Sequence, residues 1–447
     1  MIDVTQSPPD LGDSGWAAIL PNRESQPPLD ADIHADYLIV GAGFAGLSAA
    51  RRLMQLDSTA KIVIVESRQV AEGPSGRNSG FMIDLPHELS SNTYAGALDN
   101  DRSDIRMNRT AIGFAKSMVD EFKLPKSSFD LCGKWNAAAT KGGLKHNASY
   151  SAHLDSLNEP YKLFSAAQMH ELTGSTYYQG GLWTPGTAIF QPAQYVTGIA
   201  DGLAALPLCE LYEKTPVVSL NKTSDQWIAK TSNGSIRANK VILAVNGLIE
   251  NFGFYKKRLM HINLYASMTR ELTTDEIKQL GGADTWAITP ADPLGSTLRR
   301  INGAGGHRLL VRNRCTYDPA LTMPNGRLSR IAVDHDRSFH RRFPVLKNVT
   351  MEYRWSGRLC LSQNNVWAVG EVAENLFSAC CQNGLGATKG TIAGVVSAEK
   401  ASGKIADSLM PDFLEQDAPK KLLPEPLMRL GANGYLKFRE FCAGKEL

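Results

Sequence analysis

The first regular hydrophobic pattern is an apolar run over residues 37–40. Apolar positions at helical spacing over 44–56 and a second apolar run over 61–65 follow it. Short apolar runs without alternation, separated by a helix, are typical of parallel strands that are covered on both faces. The pattern therefore predicts strand, helix and strand, joined as a right-handed βαβ unit.

Apolar runs of the same kind return at 241–245 and 366–370, while the run at 308–311 is typical of a strand in a mixed sheet. We therefore predict an α/β fold, α+β overall, in which a Rossmann-type domain is interleaved with a mixed-sheet domain. The predicted boundaries assign 36–84, 186–254 and 356–405 to the first domain and 85–185 and 255–355 to the second. A polar lead-in over 1–35 precedes them, and a tail over 406–447, with a helix around 427–442, follows.

The composition narrows the class of protein. With 447 residues, 43% hydrophobic and 21% charged, the chain is typical of a folded globular protein. The net charge of +3 is spread without a basic run, so nucleic acid is not expected as a partner. No stretch approaches the roughly 18 apolar residues of a membrane helix, and the start lacks a signal-peptide pattern, which predicts a cytoplasmic protein. The seven scattered cysteines form no C-x-x-C pair, so neither a disulfide scaffold nor a metal site is expected.

A glycine-rich turn stands between the first strand and the first long helix. Gly41-Ala42-Gly43-Phe44-Ala45-Gly46 is the G-x-G-x-x-G arrangement in its required context. Gly41 permits the tight turn, Gly43 lets a pyrophosphate approach the backbone, and Gly46 lets the helix pack closely on the sheet. Glu66 ends the second strand, where a carboxylate accepts hydrogen bonds from an adenosine ribose. The motif predicts a dinucleotide site; a tight turn beside an incidental surface glutamate is the alternative.

FAD and NAD are both bound by this motif, and a second loop of small residues, 73–80, distinguishes between them. One pyrophosphate does not need two such loops close together. FAD is longer, because it also has a ribityl chain and an isoalloxazine ring, and further backbone must lie along these parts. The second loop therefore favours FAD over NAD.

The runs ADYLIVGAGFAGLSAARRL, IVIVES and GPSGRNSGFM resemble those of the D-amino-acid oxidase superfamily of FAD enzymes. The resemblance is nearest to the glycine/sarcosine oxidase branch and its γ-glutamylputrescine oxidase-like members, and it extends over most of the chain. It implies an FAD-binding first domain and a substrate-binding second domain. The candidate FAD contacts that follow are Gly41, Gly43, Phe44, Ala45, Gly46, Glu66, Ser67, Arg68, Ser75, Gly76, Arg77, Asn78, Ser79, Val218, Asn246, Gly247, Cys360, Gly384, Leu385, Gly386 and Thr388.

Some of these contacts have particular roles in the resemblance. Val218 falls near the strand whose backbone touches the adenine. The loop at Gly384–Gly386 brings N–H groups towards the flavin pyrimidine edge; an ordinary turn before a helix is the alternative. Cys360 falls near the place where several relatives tether FAD through a thioether, although FAD is expected to be non-covalent here and a buried apolar cysteine is the alternative.

The resemblance also implies how a substrate is held. An Arg or Lys commonly clamps a substrate carboxylate in this family, and Arg300 is the first candidate, with Arg314 and Arg354 behind it. Some members use a lysine in the C-terminal loop; here Lys389 is one position away and Thr388 stands where the lysine is expected. His87 is a candidate base, and a structural histidine is its alternative.

Several functions fit this pattern. The first is an FAD oxidase of a small primary or secondary amine or amino acid that gives an imine and reduces O2 to H2O2. The second is a dehydrogenase that passes electrons to a quinone or carrier. A monooxygenase, suggested by Val369-Gly370-Glu371, and a flavin redox sensor with Cys380-Cys381 as its responsive element are further alternatives. The tail is a candidate surface for oligomerisation.

Overall fold

A computed structural model describes residues 1–86, 98–324, 326–404, 408–410 and 417–447. His87, a predicted candidate base, lies outside the described residues. Short 3-10 helices cover Pro74–Gly76, Lys126–Ser128, Asn246–Phe252, Pro344–Leu346 and Gly444–Glu446. The α-helices are α1 (Gly15–Ala18), α2 (Phe44–Leu56), α3 (Leu98–Glu121), α4 (Lys141–Leu157), α5 (Ala166–Thr173), α6 (Pro192–Ala204), α7 (Thr274–Leu280), α8 (Arg327–Arg342), α9 (Gly386–Ser402) and α10 (Glu425–Ala443). The strands are β1 (Ile2–Asp3), β2 (Asp32–Val40), β3 (Ile62–Val65), β4 (Phe81–Met82), β5 (Phe129–Asp130), β6 (Lys134–Ala138), β7 (Lys162–Ser165), β8 (Gly180–Thr184), β9 (Ala188–Phe190), β10 (Cys209–Tyr212), β11 (Ser219–Lys222), β12 (Trp227–Lys230), β13 (Ser235–Leu243), β14 (Leu259–Thr269), β15 (Trp286–Pro290), β16 (Thr297–Gly303), β17 (Gly306–Tyr317), β18 (Met351–Ser362), β19 (Ala368–Ala373) and β20 (Leu376–Cys380).

The predicted βαβ unit is the centre of a nine-stranded sheet. Strands β10, β3, β2, β13 and β20 run parallel and side by side. The antiparallel strands β12, β11 and β1 extend one edge, and β19 pairs with β20. Ile39 and Ile64 face one hydrophobic core and Leu38 and Val63 face another. Both faces are therefore covered, as continuous apolar strands require.

Helices α2 and α9 pack against each other on one face of this sheet. A Cβ on Gly394 would lie 2.1 Å from the Ala45 carbonyl oxygen, and a Cβ on Gly390 would lie 3.3 Å from Cβ of Phe44. The two glycines of α9 therefore let the first turn of α2 approach closely.

The second large sheet has eight strands in the order β18, β14, β17, β16, β15, β6, β8 and β7. It is mixed, because β15 and β6 are parallel while the other neighbours are antiparallel. A small sheet in the order β4, β9, β5 brings together three segments that lie far apart in the sequence. The predicted fold class, α/β with a mixed second sheet, is confirmed.

The strands of the two large sheets alternate along the chain as the predicted domain boundaries require, with three differences. Strand β1 lies in the predicted lead-in, β2 begins there at Asp32, and β18 crosses the predicted boundary at residue 356 while belonging to the eight-stranded sheet. The division into domains stays a prediction. Among the described residues, no helix has the length and apolar character needed to cross a membrane.

Candidate cofactor and active site

A cavity of about 1540 Å³ is lined by residues of both large sheets. It begins at the glycine-rich turn after β2, passes the loop at 73–80 and reaches the segment before α9 and the inner strands of the eight-stranded sheet. Small-molecule pockets usually measure about 300–1,000 Å³. The cavity is therefore long enough to have distinct ends and large enough for more than one small molecule.

The glycine-rich turn has the geometry that its motif predicts. Gly41 has a φ of +105°, in the region that favours glycine. A Cβ on Gly46 would lie 1.8 Å from the Gly41 carbonyl oxygen, and a Cβ on Gly43 would lie 2.5 Å from Oγ of Ser75. Gly43 and Phe44 line the cavity, whereas Gly46 lies behind the turn against the sheet.

Glu66 lies in the cavity wall, held by the backbone around it. Its carboxylate accepts hydrogen bonds from the backbone N–H groups of Ala42 (3.0 Å) and Arg68 (3.2 Å) and from the Ser67 hydroxyl (3.2 Å). Burial raises the pKa of this carboxyl, and the two backbone hydrogen bonds oppose that rise. A carboxylate has about four acceptor positions, so Glu66 can still accept from a ribose.

The loop at 73–80 is folded by its own polar groups. The Asn78 side chain donates to the Ser75 carbonyl (2.7 Å) and accepts from the Gly80 N–H (2.8 Å). The Arg77 guanidinium donates to the carbonyls of Ser356 (2.6 Å) and Leu11 (2.8 Å), and burial lowers its pKa. Arg77 therefore ties the loop to its surroundings. Ser75, Arg77, Asn78 and Ser79 line the cavity, whereas Gly76 does not.

Arg299 holds the same loop from the eight-stranded sheet, a role that we did not predict. Its guanidinium donates to the carbonyls of Ser79 (3.1 Å) and Phe190 (2.6 Å) and stacks over the Trp16 ring, 4.9 Å from its centroid. The Trp16 indole N–H donates to the Asn78 carbonyl (2.8 Å). Trp16 of the lead-in thus also supports the loop.

The start of the chain forms another part of the wall that we did not predict. Val4–Ser7 lines the cavity beside Glu66 and Arg68, and Arg68 donates to the Ser7 carbonyl (2.9 Å). Only the apolar pair Ile2 and Val4 in a polar segment could have indicated a strand there.

Val218 does not line the cavity, whereas Thr215, Pro216 and Val217 do. The Val218 N–H donates to the Lys230 carbonyl and its carbonyl accepts from the Val4 N–H, at 2.8 and 2.9 Å. Both backbone groups are used within the sheet, so the geometry does not support Val218 as the adenine contact and favours its neighbours.

The segment before α9 has an unusual backbone. Cys381, Asn383 and Gly384 all have φ between +50° and +109°, and non-glycine residues in this region are frequent at functional sites. The Asn246 side chain accepts from the Cys381 N–H (3.3 Å) and fixes this segment to the end of β13. Gly384, Leu385 and Gly386 line the cavity.

Thr388 and Lys389 lie differently at the start of α9. The Thr388 hydroxyl donates to the Ile83 carbonyl (3.4 Å), and the residue does not line the cavity. Lys389 does line it, with its Nζ 3.6 Å from an Asp104 carboxylate oxygen and 5.3 Å from the centroid of the Trp367 ring. Of the two predicted residues, Lys389 is therefore the one in position to meet a ligand.

Cys360 lies on β18 in the cavity wall, beside Gly247 and Cys381. A Cβ on Gly247 would lie 3.2 Å from Cβ of Cys360, so Gly247 makes room for this cysteine. A hydrogen bond with Cys381, together with burial, raises the pKa of the Cys360 thiol well above its usual range. All seven cysteines lie in the described ranges, and none forms a disulfide.

Arg300 does not line the cavity. Its guanidinium donates to the Gly281 carbonyl, and burial lowers its pKa. Side chains alternate along a strand, so Arg299 on β16 faces the loop at 73–80 and Arg300 faces the other way. Thr297, two residues before Arg299, lies opposite Arg312 on β17, and both line the cavity. The geometry therefore moves the clamp prediction from Arg300 to Arg312.

Arg314 and Arg354, the other two arginines predicted as candidates to bind a substrate carboxylate, have carboxylate partners within the protein. Arg314 lines the cavity and contacts Asp334 (3.0 Å) and Glu440 (2.9 Å), whereas Arg354 lies outside the lining and contacts Asp336 (2.8 Å). Each is therefore already neutralised by the protein.

The lining residues fit FAD. Helices α2 and α9 both begin at the cavity, and the N-cap residues Gly43 and Leu385 provide no side-chain cap, although the Phe44 N–H of α2 lies 3.4 Å from the Ser75 hydroxyl. Uncapped N-terminal N–H groups bind anions. The α2 end lies beside Glu66, as a pyrophosphate next to an adenosine ribose requires. The α9 end lies near the eight-stranded sheet, where N–H groups would stabilise the negative charge of a reduced flavin ring.

Comparison with known proteins identifies the class. The family model DAO, described as FAD dependent oxidoreductase, matches residues 36–400. The chain belongs to this family of FAD-dependent oxidoreductases, which confirms the resemblance seen in the sequence, the enzyme class and the cofactor.

Individual relatives are distant but match over most of their length. The probable oxidoreductase OrdL of Haemophilus influenzae is 24% identical over 410 residues, 86% of this chain and 86% of that protein. The gamma-glutamylputrescine oxidoreductase of Escherichia coli is 23% identical over 391 residues, 84% and 85% of the two chains. The crystal structure of glycine oxidase from Geobacillus kaustophilus has a TM-score of 0.69 at 16% identity and covers 86% of this chain and 99% of its own. This structure shares the fold.

Proposed function

We propose that the protein oxidises the C–N bond of a small primary or secondary amine or amino acid, with O2 as the electron acceptor. The observation that carries the proposal is a continuous cavity that joins the glycine-rich turn, Glu66 and the start of α9 to Arg312 and Thr297 on the eight-stranded sheet. Bound FAD would supply the hydride acceptor for the carbon next to the substrate nitrogen. The names of two relatives, a glycine oxidase and a gamma-glutamylputrescine oxidoreductase, support an amine as the substrate class.

The protein's own residues would bind and orient the substrate. The Arg312 side chain lines the cavity, and planar guanidinium groups bind carboxylates through two parallel hydrogen bonds. Lys389 lines the cavity at the start of α9, where its ammonium group lies 3.6 Å from an Asp104 carboxylate oxygen. Tyr265 lines the cavity, and its hydroxyl is fixed by Thr316 at 2.7 Å.

Anaerobic mixing of the holoenzyme with a panel of amines and amino acids tests the reaction. Bleaching of the flavin absorbance by one of them, followed by a stoichiometric amount of H2O2 when air is admitted, is the expected result. Bleaching without H2O2, and reoxidation by an added quinone, would identify a dehydrogenase instead. If no member of the panel bleaches the flavin, the proposed substrate class is wrong.

Arg312→Met tests the clamp. Hydrogen bonds to a charged group are worth about 1.5–3 kcal/mol, so KM for a carboxylate-bearing substrate should rise by about 10- to 150-fold. KM for the corresponding amine without a carboxylate should stay within about twofold, because it lacks the group that Arg312 would bind. Arg300→Lys, on the far face of β16, is the matched control and should leave both KM values unchanged. The opposite result, with Arg300→Lys raising KM and Arg312→Met leaving it, would restore Arg300 as the clamp.

A further inference from the structure

The C-terminal helix α10 is held on the body by polar contacts with β17. Asn433 accepts from the Tyr317 N–H (3.0 Å) and donates to the Tyr317 carbonyl (3.1 Å), which extends the hydrogen bonding of β17. Glu440 contacts the Arg314 guanidinium (2.9 Å) and accepts from the Cys315 N–H (3.1 Å). Glu425 accepts from the Tyr317 hydroxyl (2.8 Å). Met428, Ala432 and Leu436 are partly buried on the same side and line the cavity, so the inner side of this helix carries both polar and apolar contacts.

The opposite face of α10 is apolar and exposed. The large side chains on it and just before it are Leu423 (58% exposed), Leu427 (62%), Leu430 (76%), Tyr435 (54%), Phe438 (62%) and Phe441 (84%). An amphipathic helix normally turns its apolar face towards a core. Because the outer side of α10 carries six large apolar side chains that the chain itself leaves exposed, we infer that something covers this side.

The size of this face matches a protein interface. With about 150–250 Å² for a whole aromatic side chain and somewhat less for leucine, the six residues present roughly 700 Å² of exposed side-chain surface. Exposed apolar patches on monomers rarely exceed about 300–600 Å². A standard interface buries about 800 Å² on each partner, which is close to the area available here.

We propose that the outer face of α10 is the contact between two copies of this chain, which pair as antiparallel helices crossing at Gly434. Leu427 and Phe441 lie seven residues before and after Gly434, and Leu430 and Phe438 lie four residues before and after it. A two-fold axis at Gly434 therefore brings Leu427 against Phe441, and Leu430 against Phe438, of the second copy. Two-fold contacts require this self-complementary arrangement.

The glycine at position 434 is further evidence that the two helices cross there. Glycine weakens the interior of a helix, and a Cβ at this position would meet nothing within 4 Å in its own chain. Its own chain therefore gives no reason for a glycine here. A close approach of two helix backbones does, because only glycine leaves the crossing point free of side-chain atoms.

The interface borders the cavity. Leu427 and Tyr435 belong to the exposed face of α10 and also line the cavity. The α10 helix of the second copy would therefore cover part of the entrance, and it would restrict the route by which a substrate reaches Arg312 and Lys389.

Sedimentation velocity of the full-length holoenzyme tests the pairing. The unchanged protein should sediment at the mass of two chains at micromolar concentration, and Phe438→Glu should shift it to the mass of one. Gly434→Leu should also dissociate it, without loss of fold, because the position is open within one chain and leucine favours helix. Val333→Glu replaces an exposed apolar residue on α8 (56% exposed) and is the matched control, which should remain dimeric. A monomeric unchanged protein, or a dimer that survives Phe438→Glu and Gly434→Leu, overturns the proposal.

Disulfide cross-linking tests the antiparallel register, in a background in which the exposed Cys132 and Cys442 are replaced by serine. Gly434→Cys should give a covalent dimer under mild oxidation, since both copies lie at the axis. Leu427→Cys alone should not, because a rise of 1.5 Å per residue separates the two copies by about 20 Å. Leu427→Cys combined with Phe441→Cys should cross-link. Efficient cross-linking by Leu427→Cys alone would overturn the antiparallel pairing.

Co-sedimentation of a monomeric protein with phosphatidylglycerol–phosphatidylcholine vesicles would assign the outer face of α10 to a lipid surface instead.

Discussion

At the scale of single residues, Gly43 is the glycine of the turn that both lines the cavity and lies against the loop at 73–80. A Cβ at this position would lie 2.5 Å from Oγ of Ser75, in the turn that faces the cavity. We expect Gly43→Ala to displace the turn and to raise Kd for FAD by about tenfold or more. A loss of about 1.4 kcal/mol of binding free energy corresponds to a factor of ten. Titration of the apoprotein with FAD, followed by flavin fluorescence, measures the change.

A glycine without such a neighbour provides the control for this variant. Gly113 lies on α3, where a Cβ would meet nothing within 4 Å. Gly113→Ala should bind FAD as the unchanged protein does. Equal affinities of Gly43→Ala and the unchanged protein would show that the turn does not approach the cofactor.

Cys360 decides whether FAD is covalently attached. Thioether formation requires a reactive thiol, and thiolate is the reactive form. Because burial and Cys381 raise the pKa of Cys360, its thiol stays protonated at neutral pH. We therefore expect acid precipitation of the holoenzyme to leave a colourless pellet and a yellow supernatant, and Cys360→Ser to retain FAD. A yellow pellet that becomes colourless in Cys360→Ser would instead demonstrate a tether at this residue.

At the scale of elements, a buried histidine joins helix α8 to two strands. His335 Nδ1 lies 2.7 Å from the Ser267 hydroxyl on β14, and its Nε2 lies 3.3 Å from the Asn313 carbonyl on β17. Burial lowers the pKa of His335 to about 4, from an ordinary value near 6.5. Between these two values the unfolded chain binds a proton that the folded chain does not. The free energy of unfolding must therefore fall as the pH falls through this range.

This linkage predicts a pH-dependent difference between His335→Gln and the unchanged protein. From pH 7 to pH 5 the unchanged protein should lose about 2 kcal/mol of stability that the variant does not lose. Urea unfolding followed by circular dichroism at several pH values measures the difference. His34→Gln, at an exposed position on β2, should follow the unchanged protein at every pH. Parallel pH profiles for His335→Gln and the unchanged protein would contradict a neutral buried histidine.

The sequence predicted the elements better than the contacts between them. Continuous apolar runs identified β2, β3 and β13 because a strand covered on both faces has few polar positions. Arg300 was chosen for the family likeness of its segment, but which face of β16 it occupies depends on strand register. That register was visible only once Thr297 was paired with Arg312.

Contacts between segments that lie far apart in the sequence could not be predicted from the local pattern of residues. Val4–Ser7 reaches the cavity wall because β1 pairs with β11, more than 200 residues later. Similarly, α10 was predicted as a helix from its own pattern, whereas the side that it turns towards the body is fixed by its contacts with β17. Pairings of this kind depend on the whole fold rather than on neighbouring residues.

At the scale of the whole molecule, the cavity is built from both large sheets. Gly43 and Glu66 follow β2 and β3 of the nine-stranded sheet, while Tyr265 and Arg312 lie in β14 and β17 of the eight-stranded sheet. A ligand that extends along the cavity must contact both. FAD should therefore stabilise the protein as one unit rather than the glycine-rich turn alone.

This argument predicts a rise in thermal stability with FAD. A ligand that binds only the folded state stabilises it by about 2.7 kcal/mol at a hundredfold excess over Kd, so the melting midpoint should rise by a few degrees. Calorimetry of the apoprotein at increasing FAD concentration measures the midpoint, which should rise with the logarithm of the concentration. In Gly43→Ala the same rise should need about tenfold more FAD. If only part of the unfolding heat moved with FAD while a separate transition stayed in place, the cofactor would stabilise one sheet and not the other. The cavity would then not act as the link between them.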